Sequence, residues 1–272
     1  MKIGVCFSGQ IRYGVEAIAN IRRYIGDLGG SCDVFMHTWD ISKPKSTYMY
    51  GATPVDYPVT YTDPRTVQIM VSSYNMVSHR VESHSSAMDQ YGLENLGSNY
   101  YIQIPDHTQG LNLQFYSWNR SVELAIAHGN YDVLVKLRPD VVYHSECRLR
   151  DIIDVWNSNH ELFYSAIATE DRVDDVIMCA SPDVIRLASM TWHSKLANVG
   201  CVYEIAEHLK SHRIGYREIP VRYAPLRPQS LEYNTLTEFH KIYMADVRFY
   251  SGIDPATFVE PTLEDLQVIF PS

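Results

Sequence analysis

The opening stretch of about forty residues commits this chain to a parallel pair of strands. Lys2–Phe7 is a β-branched, apolar run, and Ser8-Gly9-Gln10 reads as the turn that ends it. From Tyr13 onward Val15, Ile18, Ile21, Ile25 and Leu28 recur at helical spacing until Gly29-Gly30 stops them. Cys32–Thr38 is a second apolar strand. A strand, a helix and a strand in that order form a βαβ unit, because parallel neighbours need a crossover between them.

The alternation continues. Residues 41–62 carry no period and many turn residues, which reads as a long loop or lid. Pro64–Tyr74 reads as a short helix, His79–His84 as a short strand and 85–107 as irregular. Leu111–His128 is a helix with a broad apolar face, ended by Gly129-Asn130. Strands follow at Tyr131–Leu137, Val141–Tyr143, Leu162–Ala168 and Val176–Ala180. Ser181-Pro182-Asp183 has the form of a helix start, with a cap, a first-turn proline and an acid, and opens a helix to about Trp192. Val202–Ser211 is a further helix and Tyr216–Tyr223 a last strand. The expected fold is therefore α/β: a Rossmann-type domain with a mostly parallel central sheet flanked by helices. Residues 1–227 form that domain, and 228–272, irregular and aromatic, form a tail that wraps it.

Composition narrows the class. The chain has 272 residues, 46% hydrophobic and 20% charged, enough to bury a core and too apolar for general disorder. No apolar run is long enough to span a membrane. The N-terminus lacks a signal-peptide core, and the five cysteines are odd in number and without a CxxC pair. Both point to a cytoplasmic protein, in a host cytoplasm if the chain is viral. A net charge of −9 with no basic run excludes broad nucleic-acid binding, which needs a cationic face.

Ligands of such sheets sit beyond the C-terminal strand ends. Four places fall there: Ser8–Arg12, His37–Asp40, Arg138–Asp140 and the loop 169–175. In the first, a glycine at a helix entrance lets backbone N–H groups approach an anion, and Arg12 adds a fork suited to phosphate. Neither GxGxxG nor a P-loop is present, and the alternative is a plain turn with a solvated Arg12. In Arg138-Pro139-Asp140 a proline pins a charged pair directly after a central strand. Asp140 is a candidate ligand for Mn²⁺ or Mg²⁺ bridging a diphosphate; the alternative is an Arg–Asp pair that closes the strand. Glu170, Asp171, Asp174 and Asp175 crowd six residues, and one of them is a candidate general base. Glu204, His208 and His212 lie four apart on a helix. No HExxH accompanies them, so the reading taken is a solvated helix face, with Glu204 able to point at the cleft. Of the remaining histidines, His37 at a strand end is the one site candidate.

These segments, in this order, resemble a group of GT-A-type glycosyltransferases found in bacterial surface-polysaccharide clusters, phages and large viruses. The residues that carry the likeness are KIGVCFSGQIR, CDVFMHTW, QFYSWNRSVELA, YDVLVKLRPDVVY, DRVDDVIMCASPD and a late helix with an acid, over about residues 1–225. The resemblance implies transfer of a sugar from a nucleoside-diphosphate sugar donor to a hydroxyl of a glycan acceptor. Ser8, Gly9, Gln10 and Arg12 would hold the nucleotide diphosphate, with Gln114, Tyr116 and Ser117 lining the donor site. Arg138 and Asp140 would occupy the metal and donor position, and Asp174, Asp175 and Glu204 are the implied catalytic carboxylates. The chain departs from the group in one respect: Asp-x-Asp, the usual metal motif, occurs nowhere in it. That departure keeps open a non-catalytic carbohydrate- or nucleotide-binding protein on the same fold.

Overall fold

The structure is a computed structural model. It describes residues 1–11, 14–15, 17–26, 28, 32–43, 46–47, 55–56, 60–91, 105–143, 148–166, 168–193, 201–219, 221 and 223–225. The expected tail 228–272, Arg12, most of the expected lid and the side chain of Glu204 lie outside the described residues.

The centre is a seven-stranded sheet. Its strands are β1 (Ile3–Ser8), β2 (Cys32–Trp39), β7 (Ser78–Glu82), β8 (Val133–Leu137), β10 (Phe163–Ser165), β13 (Ile177–Ala180) and β14 (Tyr216–Glu218). Their spatial order is β14-β10-β13-β8-β1-β2-β7. The pairs β8–β1, β1–β2, β2–β7 and β10–β14 are parallel, while β13 runs antiparallel to both of its neighbours. The sheet is thus mixed and mostly parallel. The minor pairs are β3 (Ile41–Lys43) with β6 (Thr60–Tyr61), β4 (Ser46–Thr47) with β5 (Val55–Asp56), and β11 (Ala168–Thr169) with β12 (Arg172–Val173). The last is β9 (Val141–Tyr143) with β15 (Tyr223–Pro225).

Strand alternation divides the core between the two faces of the sheet. Ile3, Val5, Phe7, Val133, Val135, Leu137, Ile177 and Cys179 point to one face. There they meet α1 (Ile18–Gly26), α2 (Pro64–Tyr74) and α5 (Leu149–Ser158). Cys6, Phe35, Leu134, Met178 and Ala180 point to the other. There they meet α4 (Pro105–His128), α6 (Pro182–Ser189) and α7 (Cys201–Ser211). With both faces covered, the central strands read as near-continuous apolar runs, as parallel sheets require. Each fully buried large apolar side chain contributes roughly 1.5–3 kcal/mol.

Local signals explain several helix ends. Asp63 caps α2 by accepting from the Arg65 N–H at 2.8 Å, Pro64 takes the first turn, and Asn75 closes the helix in the left-handed region at φ 48°. Asn20 on α1 works as a strand edge. Its Nδ2 donates to the Tyr143 carbonyl at 2.8 Å and its Oδ1 accepts from the Tyr143 N–H at 2.7 Å, so both buried amide groups are satisfied.

The structure corrects the sequence reading in several places. The first helix begins at Ile18, later than the spacing from Tyr13 suggests. The region read as irregular contains α3 (His84–Tyr91), whose first N–H is capped by Asp40 Oδ1 at 2.9 Å, and α4 already begins at Pro105. Pro182 opens α6 as expected, but the Ser181 side chain makes no capping bond. The expected last strand is two strands, β14 and β15, in different sheets. α5 was not expected at all, although Leu149, Ile152, Ile153 and Trp156 have helical spacing and are all buried. Cys6, Cys32 and Cys179 are free thiols, and burial raises the pKa of each. No described helix is long and apolar enough to cross a membrane.

The two sides of α5 should respond differently to truncation. Ile152→Ala empties a buried site and should cost about 2–5 kcal/mol. Val155→Ala, at a position 42% exposed, should stay within about 0.5 kcal/mol. Urea midpoints of the two variants check this; equal losses would mean that α5 is not seated by that face.

Candidate functional site

The C-terminal edge of the parallel strands gathers the polar residues. Phe7 on β1 pairs with Leu137 on β8, and Ser8 pairs with His37 on β2. Ser8 and Arg138, the residues after that pair, therefore leave the sheet side by side. Ile177 on the antiparallel β13 also pairs with Leu137. The residues before it, Asp174 and Asp175, consequently reach the same edge from the opposite chain direction.

Arg138 is the centre of this group. Its Nε and Nη2 donate to Asp140 Oδ1 and Oδ2, both at 2.9 Å, in a two-pronged pair. Its Nη1 lies 3.8 Å from Asp175 Oδ2, inside ion-pair range but beyond a direct hydrogen bond. Asp140 is 1% exposed, Asp174 5% and Asp175 8%. Burial works against the Arg138 charge, but Asp140 and then Asp175 more than offset it, so the guanidinium stays protonated.

Asp174 differs from its neighbours. Burial first, and then the charge of Asp175, push its carboxyl up to about 7, against hydrogen bonding from Tyr223 and the positive charge of Lys136. Its Oδ2 has no hydrogen-bond partner among the described residues, while its backbone carbonyl accepts from Ser165 Oγ at 3.0 Å. The β9–β15 pair brings Tyr223 here, because Tyr143 lies opposite it.

A second network lies behind the β1 turn, on the α4 face. Gly9 takes φ +108°, a left-handed conformation that a side chain would strain. Its N–H donates to Ser117 Oγ at 2.8 Å. Ser117 Oγ is also 2.8 Å from His37 Nδ1 and 3.2 Å from the His37 carbonyl. Glu82 Oε2 stands 3.6 Å from His37 Nε2 and accepts from the Tyr116 hydroxyl at 2.8 Å, which in turn accepts from Arg120 Nε at 2.8 Å. Burial lowers the His37 pKa, so the ring is neutral. Burial would raise Glu82, but His37, Tyr116 and the charge of Arg80 hold its carboxyl at about 2. A carboxylate beside Nε2 favours the ring proton there, and Nδ1 then accepts from Ser117. Trp39 stacks on Tyr116 at 4.5–7 Å range, with 5.6 Å between ring centroids, and meets His37 edge-on at 5.0 Å.

Of the residues singled out in the sequence, the edge brings together Ser8, Gly9, His37, Ser117, Arg138, Asp140, Asp174 and Asp175. Tyr116 and Ser117 are buried, and they bear on the edge through Glu82 and Gly9. Gln114 is half-buried, and its Nε2 has no partner among the described residues. Ser8 Oγ is likewise buried and unpartnered among them. His208 corrects the expectation of a solvated helix face. It is 7% exposed and its Nε2–H donates to the Leu187 carbonyl at 2.9 Å, which ties α7 to α6. His212 Nδ1–H donates to the His208 carbonyl at 2.9 Å.

Three contributors went unread in the sequence. Lys136, 1% exposed on β8, has its Nζ 5.5 Å from the Trp118 ring centroid. A lysine inside an apolar strand run was the available signal. Glu82 and Tyr223 carried none, because only sheet pairing brings them to His37 and Asp174.

The residues that would hold a metal can be tested against this geometry. Both oxygens of Asp140, the expected ligand, are engaged by Arg138. Among the described residues no group of three or more His, Cys, Asp or Glu is arranged to hold a metal ion. The arrangement does not fit a divalent cation at Asp140. It fits an anion approaching a fixed guanidinium beside backbone N–H groups.

Neither a family model nor a curated relative matches the sequence. Solved structures share its general arrangement at low similarity. The mannosyltransferase Ktr4p from S. cerevisiae in complex with GDP gives a TM-score of 0.47 at 9% identity, over 98% of this chain and 81% of that one. Core-mannan synthase A from Aspergillus fumigatus in its Mn/GDP form gives 0.47 at 9%, over 83% and 75%. Mouse xyloside xylosyltransferase 1 in its apo form gives 0.41 at 7%, over 80% and 84%. At these values no functional residue transfers from those proteins to this one.

Asp174 makes the stability of the fold depend on pH in a stated direction. Its folded pKa lies above the ordinary carboxylate value of 3.8, so between about 4 and about 7 the folded state binds the extra proton. The stability this group contributes is full below that window and is lost as pH rises through it. Asp174→Asn, which cannot ionise, should therefore gain on the wild type by about 1 kcal/mol or more across the window and by nothing further above it. Denaturant midpoints of both proteins from pH 4 to pH 8 measure this. A difference independent of pH would show that Asp174 titrates normally.

Proposed function

We propose that this chain is a glycosyltransferase that moves a sugar, of the hexosyl kind, from a nucleoside-diphosphate sugar to a hydroxyl of a glycan or related acceptor. The observation that carries the reading is Arg138, fixed by Asp140 where the β8 end meets the Gly9 turn and the Asp174–Asp175 pair. A diphosphate leaving group develops charge on its oxygens. A positioned guanidinium and backbone donors are the groups that stabilise such charge in a site shielded from water. The likeness of the sequence segments to GT-A-type enzymes supports the same reading. The reading sets this activity in the synthesis of surface polysaccharide, in the cytoplasm of a bacterium or of a phage-infected host.

In this reading the residues take the roles that the resemblance implies. Ser8, Gly9, Gln10 and Arg12 hold the nucleotide diphosphate, and Ser117 and His37 fix the Gly9 turn from behind. Gln114 and Tyr116 belong to the wall of the same site. Arg138 faces the diphosphate, with Asp140 holding it. In the transfer, the bond from the anomeric carbon to the phosphate oxygen breaks and its electron pair leaves with the nucleoside diphosphate. The acceptor oxygen bonds to the anomeric carbon, and its proton passes to a carboxylate. Asp175, whose Oδ2 lies 3.8 Å from Arg138 Nη1, is the carboxyl group placed to take that proton, Asp174 in its protonated form donates to a sugar hydroxyl, and Glu204 on α7 is the third candidate carboxylate. Residues 1–227 form the catalytic domain in this reading, with 228–272 wrapped on it.

The direct test is turnover. The full chain is incubated with UDP-, GDP-, CDP- and dTDP-linked sugars and a glycan acceptor, and release of nucleoside diphosphate is followed. One donor should turn over, and Arg138→Lys should lower kcat/KM by about 10²–10³-fold, since the two-pronged hold on the guanidinium is lost. Binding of a donor without turnover would favour the non-catalytic binding protein. Neither binding nor turnover would overturn the reading.

A further inference from the structure

We infer that the diphosphate in this site is neutralised by the Arg138 guanidinium itself and not by a divalent ion held on Asp140. The inference rests on the transferase reading above and concerns how that site meets its charge. Asp140 is the only carboxylate of the Arg-Pro-Asp triplet, and Arg138 engages each of its oxygens at 2.9 Å. An ion placed there would lie beside a cation that the protein has already fixed, and like charges at that range repel strongly in a buried setting. Releasing Arg138 to make room would strand a guanidinium whose side chain is 18% exposed. The next carboxylate, Asp175, is also turned to Arg138, with 3.8 Å between Oδ2 and Nη1.

The same geometry says what Arg138 can do. Asp140 takes the Nε hydrogen and one of the two Nη2 hydrogens, fixing the plane of the guanidinium. Nη1, beyond direct hydrogen-bond reach of Asp175, keeps donor capacity for an incoming anion. Asp140 is then a positioning residue. It acts on the ligand only through Arg138, and the triplet is a pre-organised cation where a metal-binding pair of carboxylates would otherwise stand.

Isothermal titration of the full chain with UDP, GDP, CDP and dTDP, each in EDTA and again in Mn²⁺, decides the matter. The nucleotide that binds should do so with a Kd that differs by less than about threefold between the two buffers. Arg138→Gln should weaken it by about tenfold or more in both, the loss expected for a charge-assisted contact. Binding to the wild type that is more than about tenfold tighter in Mn²⁺, with that gain abolished in Asp140→Asn, would place an ion on Asp140 and overturn the inference while the transferase reading stands. No binding of any nucleotide in either buffer would overturn both. The buffer comparison uses the wild-type protein alone, so a variant that fails to fold does not blunt the test.

Discussion

The polar edge of the sheet depends on one hydrogen-bond register. Leu137, the last residue of β8, faces Phe7 on one side and Ile177 on the other. The first pairing is parallel and the second antiparallel, so two segments distant in sequence meet the end of β8 from opposite directions. A slip of one residue in either would turn every side chain of the moved strand to the other face, against two filled cores. The register is therefore held by burial of Val133, Val135, Leu137, Ile177 and Cys179 on one face and Leu134, Met178 and Ala180 on the other. Apolar packing thus sets where the charged residues emerge, and the charged residues contribute little to that choice.

At the edge itself the ordering principle is compensation of buried charge. Arg138 is tolerated there because Asp140 takes two of its nitrogens and Asp175 lies near the third. Asp174 is not compensated to the same degree, and its carboxyl responds by holding its proton. Arg138 stays a guanidinium, Asp140 is bound in its fork, and Asp174 keeps its proton to higher pH than an ordinary carboxyl. The environment, more than the residue type, assigns the roles.

The Ser117–His37–Glu82 chain does a different job. It ties the turn after β1 to α4 and to the sheet edge at β7, through a hydroxyl shared by the Gly9 N–H and the His37 ring. Neutral His37 over ionised Glu82 gives the ring a defined tautomer, and a defined tautomer gives Ser117 a defined hydrogen-bond direction. The left-handed Gly9 is thus supported from behind by Ser117 and, through it, by His37.

Much of this was legible in the chain. The βαβ opening, the helix from Pro64, the helix at 182 and the Arg-Pro-Asp triplet follow from period and proline, which act over a few residues. The sequence also brings Ser8, His37 and Arg138 to one end of the sheet, because the loops after parallel strands must fall together. It does not show that β13 runs backwards, that Tyr223 reaches Asp174 or that His208 is buried against Leu187. Those depend on contacts between residues far apart in the chain, and pairing direction and burial are properties of the packed sheet. Local propensity names the elements and the residue types available. Only the packing of the two faces decides which charges meet, and with that their protonation.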